Sequence, residues 1–292
     1  LDVVQFLIGQ GADLKGADKD GRTPLHAVSL KYAASFNGHL DVVQFFIGQG
    51  ADLKRADKEG RTPLYMASCN GHLDVVQFFI GQGADLKRAD KKGTTPLYMA
   101  SCNGHLEVVQ FLIGQGSDLN SASNDGSTPI EMASLEGHLY VVQFLIGQGS
   151  DLNSASNDGS TPLEMASLDG HLYVVQFLIG QGADLNSVDK DGMTPLFTSS
   201  FSGHLDVVEF LIGQGVELNG VCNDGRTPLF VASSTGHLDV VQFFIGQGAD
   251  LKGADKDGRT PLHAASANGA HCGITQRSPR CCTVSLLVKE QI

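Results

Sequence analysis

The side chains able to do chemistry in this chain are ten His, six Cys and 32 Asp or Glu residues. Gathered at short range, such groups bind metals or move protons. Here they are spread on a regular beat. Seven of the histidines, from His39 and His72 to His237, stand in Gly-His-Leu and recur every 33 residues. If each beat is one layer of packed helices, successive imidazoles lie about 10 Å apart, too far to share one ion with ~2 Å bonds. Those histidines are therefore expected to be structural. Cys69 and Cys102 are equivalent positions in adjacent units, too distant for a disulfide. The one group of ligand-type residues off the beat is His271, Cys272, Cys281 and Cys282. It lacks C-x-x-C spacing, so an unstructured tail is preferred over zinc. Read as a calcium loop around Asn124-Asp125-Gly126, the chain would place Ser121 first and Met132 last, where carboxylates are required. Gly-Gln-Gly is not followed by a phosphate-cradling pattern. No nucleophile–base pair stands outside the beat. The expectation is a non-catalytic protein with no cofactor and no metal.

The elements that position these residues follow from the same period. Thr-Pro falls at Thr23-Pro24, then at Thr62-Pro63, and from there every 33 residues to Thr260-Pro261; the first step alone is 39. A period of this length marks a stacked array. In the unit 57–89, Asp57-Lys58-Glu59-Gly60 is a turn signal. Thr62 suits a helix N-cap and Pro63 the first helical position, where a missing N–H costs nothing. A short helix is expected through Leu64–Ser68, stopping at Asn70-Gly71, and a second from near His72 to Ile80, with Gly83 as its left-handed stop. The second helix is apolar except for a stripe of Asp74, Gln77 and Gly81, so it must be covered on several sides. Helices of about nine residues do not persist alone. Stacked neighbours would supply the cover, which makes a solenoid.

The recurring D-x-x-G-x-T-P-L-x-x-A-x-x-x-G-H-L-x-V-V-x-x-x-I-x-x-G-A-D-L resembles the ankyrin repeat. The resemblance implies an all-α solenoid of stacked helix–turn–helix units with β-hairpin tips, whose inner helices and tips line a concave groove. The array is read as 1–269: a half-repeat 1–17, full repeats 18–56, 57–89, 90–122, 123–155, 156–188, 189–221 and 222–254, and a half-repeat 255–269. A non-repeat tail, 270–292, follows. The six extra residues of the first full repeat fall around Val28–Ala33 and predict a bulge or an extruded loop. The Thr-Pro-Leu-His tetrad keeps its His only at His26 and His263; Tyr65, Tyr98, Glu131, Glu164, Phe197 and Phe230 replace it elsewhere. In the family this His helps bond the turn, so the network is in question in those layers. The start at Leu1 and the loss of the repeat after 269 lead us to expect a fragment or an imperfect gene model.

Charge is the most individual feature. The chain is acidic, at −12, which argues against nucleic acid as a partner. Residues 1–92 carry 12 basic and 11 acidic side chains, residues 93–189 no Lys or Arg and 11 acids, and residues 190–292 8 and 10. Lys58, Arg61 and Lys92, with Arg226 further on, fall at hairpin positions; Glu131, Glu136, Glu164 and Asp169 fall in or just after first helices. Two readings stand: a groove whose sign changes along its length and steers a charge-patterned partner, or drift on a solvated face. The repeats 123–155 and 156–188 differ at only four positions, as recent duplication would leave them. Leu135, Leu168 and Phe201, in consecutive layers, are either an apolar anchor ridge or inter-repeat packing.

The expected function is non-catalytic protein–protein interaction: a scaffold, monomeric, binding a partner protein across the groove and tips. The alternative is the targeting arm of a larger multidomain protein, an enzyme being one such case, with its other domains outside this chain. In a third reading the array is itself a substrate, hydroxylated at the hairpin residues Asn120, Asn153, Asn186 or Asn219. No leader or membrane-spanning run is visible and six Cys make no disulfide framework. An intracellular, cytoplasmic setting without membrane insertion is expected.

Overall fold

The computed structural model describes residues 1–30 and 38–270. Sixteen helices follow one another there: α1 (Asp2–Gly9), α2 (Pro24–Leu30), α3 (Gly38–Gly48), α4 (Pro63–Cys69), α5 (Leu73–Gly81), α6 (Pro96–Cys102), α7 (Leu106–Gly114), α8 (Pro129–Leu135), α9 (Leu139–Gly147), α10 (Pro162–Leu168), α11 (Leu172–Gly180), α12 (Pro195–Ser202), α13 (Leu205–Gly213), α14 (Pro228–Thr235), α15 (Leu238–Gly246) and α16 (Pro261–Ala270). Of the insertion expected around Val28–Ala33, Val28, Ser29 and Leu30 belong to α2 and the rest lies outside the described residues, as does the whole metal-type cluster of the tail.

Each helix starts and stops where local chemistry directs. At α4 the Thr62 hydroxyl accepts from the Tyr65 N–H and Pro63 takes the first position. The hydroxyls of Thr95, Thr161, Thr194 and Thr227 accept in the same way. The exposed stripe of α5 consists of Asp74, Gln77 and Gly81, while Val75, Val76 and Phe79 are sealed inside.

Every closely packed helix pair lies within one unit or between adjacent units. The even-numbered helices form one row and the odd-numbered helices another. Contacts along the even row are the more extensive of the two, which marks it as the inner row that the ankyrin resemblance places on the concave side. A single apolar core runs through the stack, with Leu64, Ala67, Val76 and Phe79 representing one layer of it. Alanine at the even-row contact (Ala67, Ala100, Ala133, Ala166 and Ala232, all fully buried) lets those helices approach closely.

Two polar seams tie layer to layer. At the tips, Asp57 N–H donates to the Arg61 carbonyl at 2.9 Å, closing a turn. The next tip docks on it, with Lys91 N–H donating to the Glu59 carbonyl at 2.8 Å, and the pattern repeats from Asp20 to Lys256. The expected β-hairpin tips are thus turns linked by one backbone bond each, with an Asn124, Asn157 or Asn223 amide adding a second bond at three of them, and no strand occurs among the described residues. At the other seam, an imidazole Nε2 bonds a carbonyl of the preceding unit at 3.0 Å: His105 to Cys69, His138 to Cys102, His204 to Leu168 and His237 to Phe201. Its ring lies flat against the glycine that precedes the neighbouring His. A methyl on Gly104 would meet His138 Nδ1 at 2.5 Å, and Gly104 also has a φ of +73°.

The predicted consequence is a contrast within one repeat. Gly104→Ala suffers both a clash and a left-handed strain and is expected to destabilise the fold by about 2–3 kcal/mol. Gly114→Ala, at the end of α7 with open space around it, is expected to stabilise it by about 0.5–1 kcal/mol. Urea unfolding of the two variants measures both signs; equal effects would contradict the layered contact.

Candidate functional site

The residues singled out by charge and apolar spacing fall on different surfaces. Lys58 and Lys92 are exposed on successive tips. Arg61 is not free for a partner: its Nε and Nη2 grip Asp57 Oδ2 at 2.9 and 2.8 Å. Asp57 Oδ1 meanwhile accepts the Glu59 and Arg61 N–H groups, so the ion pair clamps the turn. Arg226 Nη2 is likewise engaged by Asp224 at 2.6 Å.

Glu131 and Glu164 correct the sequence reading. They are 1% and 2% exposed, so they present no charge to solvent. Being the last residue of the Thr-Pro-Leu-His tetrad, each points between layers rather than into the groove. The Glu131 Oε1 accepts from Thr128 at 3.1 Å and from Ser154 of the next layer at 3.0 Å. Other residues bridge the same pocket in their own way. His26 joins Thr23 to the Arg61 carbonyl, and the Tyr65 hydroxyl meets Thr94 at 2.9 Å. Phe197 and Phe230 abandon polarity and form an apolar cluster with Cys222 and Val231. Burial pushes the Glu131 carboxyl up to about 7, with Asp125 adding to the effect and the two hydroxyls opposing it.

Leu135 is also corrected: it is only 3% exposed. It lies on α8, which packs against both α6 and α10. Leu168 is half-buried and Phe201 is 37% exposed, so no three-residue ridge exists; its single open member is Phe201.

Glu136 and Asp169 do reach solvent, at the C-caps of α8 and α10. In earlier layers this position is asparagine. Asn70 donates its amide to the Met66 carbonyl at 2.7 Å and to that of Ser29 at 3.3 Å. Asn103 donates to Met99 at 3.0 Å and to Cys69 at 3.1 Å. A carboxylate cannot donate, and it faces the negative end of the helix dipole. Partial burial, and for Glu136 the charge of Asp169, raise both carboxyls above their ordinary values. The pair is electrostatically unfavourable where it stands. The linking role of Asn70 and Asn103 escaped the sequence reading, although an amide at a helix C-cap was its visible signal.

One surface hollow is lined by Leu53, Lys54, Thr62, Ala84, Asp85 and Arg88, and a second by Leu14, Lys15, Thr23, Gly50, Asp52 and Arg55; five of the six positions are equivalent one repeat apart, so the hollows follow from repetition. Among the described residues, no group of three His, Cys, Asp or Glu is placed to hold a metal ion, and no helix is long and apolar enough to cross a membrane. Asn153 and Asn219, among the candidate hydroxylation residues, use their side-chain oxygens to accept the N–H of Asp184 and Asp250.

The family model described as ankyrin repeats (3 copies) matches residues 1–90, 30–123, 103–189, 130–222, 163–255 and 215–276, which together span nearly the whole chain. No curated protein matches it.

The Glu131 carboxyl yields a pH prediction. Its folded value near 7 lies above its ordinary 4.5, so ionisation is disfavoured by the fold. Stability from this group is complete below about 4.5 and is lost as pH rises through about 7. Glu131→Gln removes the loss. The thermal midpoint of the variant should exceed that of the parent at pH 8 and match it near pH 4.5. The depressed histidines His26, His105 and His138 destabilise both proteins alike below about 6.5 and cancel in the difference. A constant gap between the two midpoints would show that folding leaves the Glu131 carboxyl unshifted.

Proposed function

The chain belongs to the ankyrin-repeat family, and on that premise we propose that it is a non-catalytic scaffold holding a charge-patterned partner along its concave side. Ankyrin repeats are in general protein–protein interaction modules. What supports this particular reading is the pair Glu136 and Asp169. The array tolerates two partly buried carboxylates at helix C-caps, in a stretch of residues 93–189 without any Lys or Arg to neutralise them. A partner's cations would supply the missing counter-charge and donate to the carbonyls that Asn70 and Asn103 serve in earlier layers.

The partner-facing set is then Lys58 and Lys92 on the tips, Glu136 and Asp169 in the middle, and Leu168 and Phe201 as apolar contacts beside them. Arg61, Arg226, Glu131, Glu164 and Leu135 hold the scaffold in shape. The long reach of the array suits a partner whose acidic segment meets the lysines and whose basic segment meets the carboxylates. The free thiols Cys69, Cys102 and Cys222 support a reducing, intracellular setting.

Glu136→Asn with Asp169→Asn tests the proposal because its two effects oppose each other. Stability should rise by about 1 kcal/mol as the amide bonds of the earlier layers are restored. Affinity for a partner captured with the full chain should fall about tenfold and lose salt dependence. Capture of the same partners with unchanged affinity and salt dependence would defeat the steering role.

A further inference from the structure

The convex side carries a feature that neither the stacking nor the concave groove uses. Five of the outer helices from α5 to α15 can be compared with α9 at their second residue. The row reads Asp74, Glu107, Tyr140, Tyr173, Asp206 and Asp239, one residue per layer and all exposed. Where Asp stands, at Asp74, Asp206 and Asp239, its Oδ1 accepts the next backbone N–H at 2.8–2.9 Å, and its charge favours the helix N-terminus. The two tyrosines forgo both contributions. They gain no burial in exchange, being 73% and 74% exposed. Folding therefore gives no account of two adjacent aromatic rings standing in water on the back of the stack.

Their surroundings define what would cover them. The helices α1, α3, α5, α7, α9, α11, α13 and α15 contain no Lys or Arg at all. Glu107 and Asp206 flank the tyrosine pair in its own row, and Gln143, Gln176 and Glu209 line the exposed position one turn further along. An aromatic face bordered only by acids and amides attracts cations, by cation–π contact over the ring and ion pairs at either side. Spacing narrows the class further. Neighbouring outer helices pack on each other, at about 8–10 Å. A polyproline II segment presents every third residue on one face, with a repeat of about 9.3 Å.

We propose that Tyr140 and Tyr173, flanked by Glu107 and Asp206, form a convex docking ledge for an extended peptide bearing Arg or Lys at every third position. Two cations lie over the rings and the two beyond them pair with the acids. The ledge is separate from the concave groove, so the array can hold this segment and another partner together.

The test uses the full chain and a fluorescent synthetic peptide of four Arg-Pro-Pro triplets, followed by anisotropy at low salt. Saturable binding is expected. It should weaken about tenfold in Tyr140→Ala/Tyr173→Ala and persist in Tyr140→Phe/Tyr173→Phe, with circular dichroism unchanged in both. A peptide of equal charge with arginines at every fourth residue should bind several-fold more weakly. The proposal is overturned if the peptide does not bind, or if the alanine pair binds it as tightly as the parent. Loss of binding in Glu136→Asn/Asp169→Asn but not in the alanine pair would place the peptide in the groove and overturn it too. So would tyrosine-dependent self-association of the chain in sedimentation, which would make a second copy the occupant.

Discussion

None of the described helices can bury its own apolar surface, and its cover comes from its partner in the same unit and from the adjacent layers. Helices of about nine residues are marginal in water, and α5 is apolar over all but three positions. Neighbour burial is therefore the constraint from which the rest follows. It demands that one face of each layer fit the other face of the same motif. That is why alanine recurs at the even-row contact and why Gly104 and His138 are matched across a layer boundary. A bulkier residue at either place would not disturb one unit alone; it would hold two units apart.

The same constraint created a recurring pocket between layers that the chain fills in four ways. Histidine, tyrosine, glutamate and phenylalanine all occupy the last position of the Thr-Pro-Leu-x tetrad. The first three bridge to the following layer through hydrogen bonds, and the last joins an apolar cluster. Burying a carboxyl is the costly solution, since its charged form must give up water. The hydroxyls of Thr128 and Ser154 offset part of that cost. Variation at this site changes how tightly layers couple rather than what the surface displays.

Most of the architecture was legible in the residues, because turns, caps and helix faces are local and each was written out many times. Thr62-Pro63 marks a helix start whether or not the rest of the chain is known, and the stripe of Asp74, Gln77 and Gly81 names the exposed side of α5. What escaped was depth. Glu131, Glu164 and Leu135 occupy positions whose neighbours come from the next layer, and charge or hydrophobicity alone does not say that a side chain points between layers. The tips were expected as β-hairpins, but a single backbone bond per layer makes a turn rather than a ladder. Tyr140 and Tyr173 depart from an otherwise acidic column and were passed over in the sequence; their exposure shows that packing does not require them.

The seams described above also fix how the molecule would respond to being pulled. The apolar core, one backbone bond at each tip and an imidazole bond at four of the boundaries join the layers end to end, like links of a chain under tension. A load applied to the two ends is borne equally by every junction, and no part of the array shields another. The weakest junction therefore gives way first, and the layers on either side of it keep the cover of their own remaining neighbours.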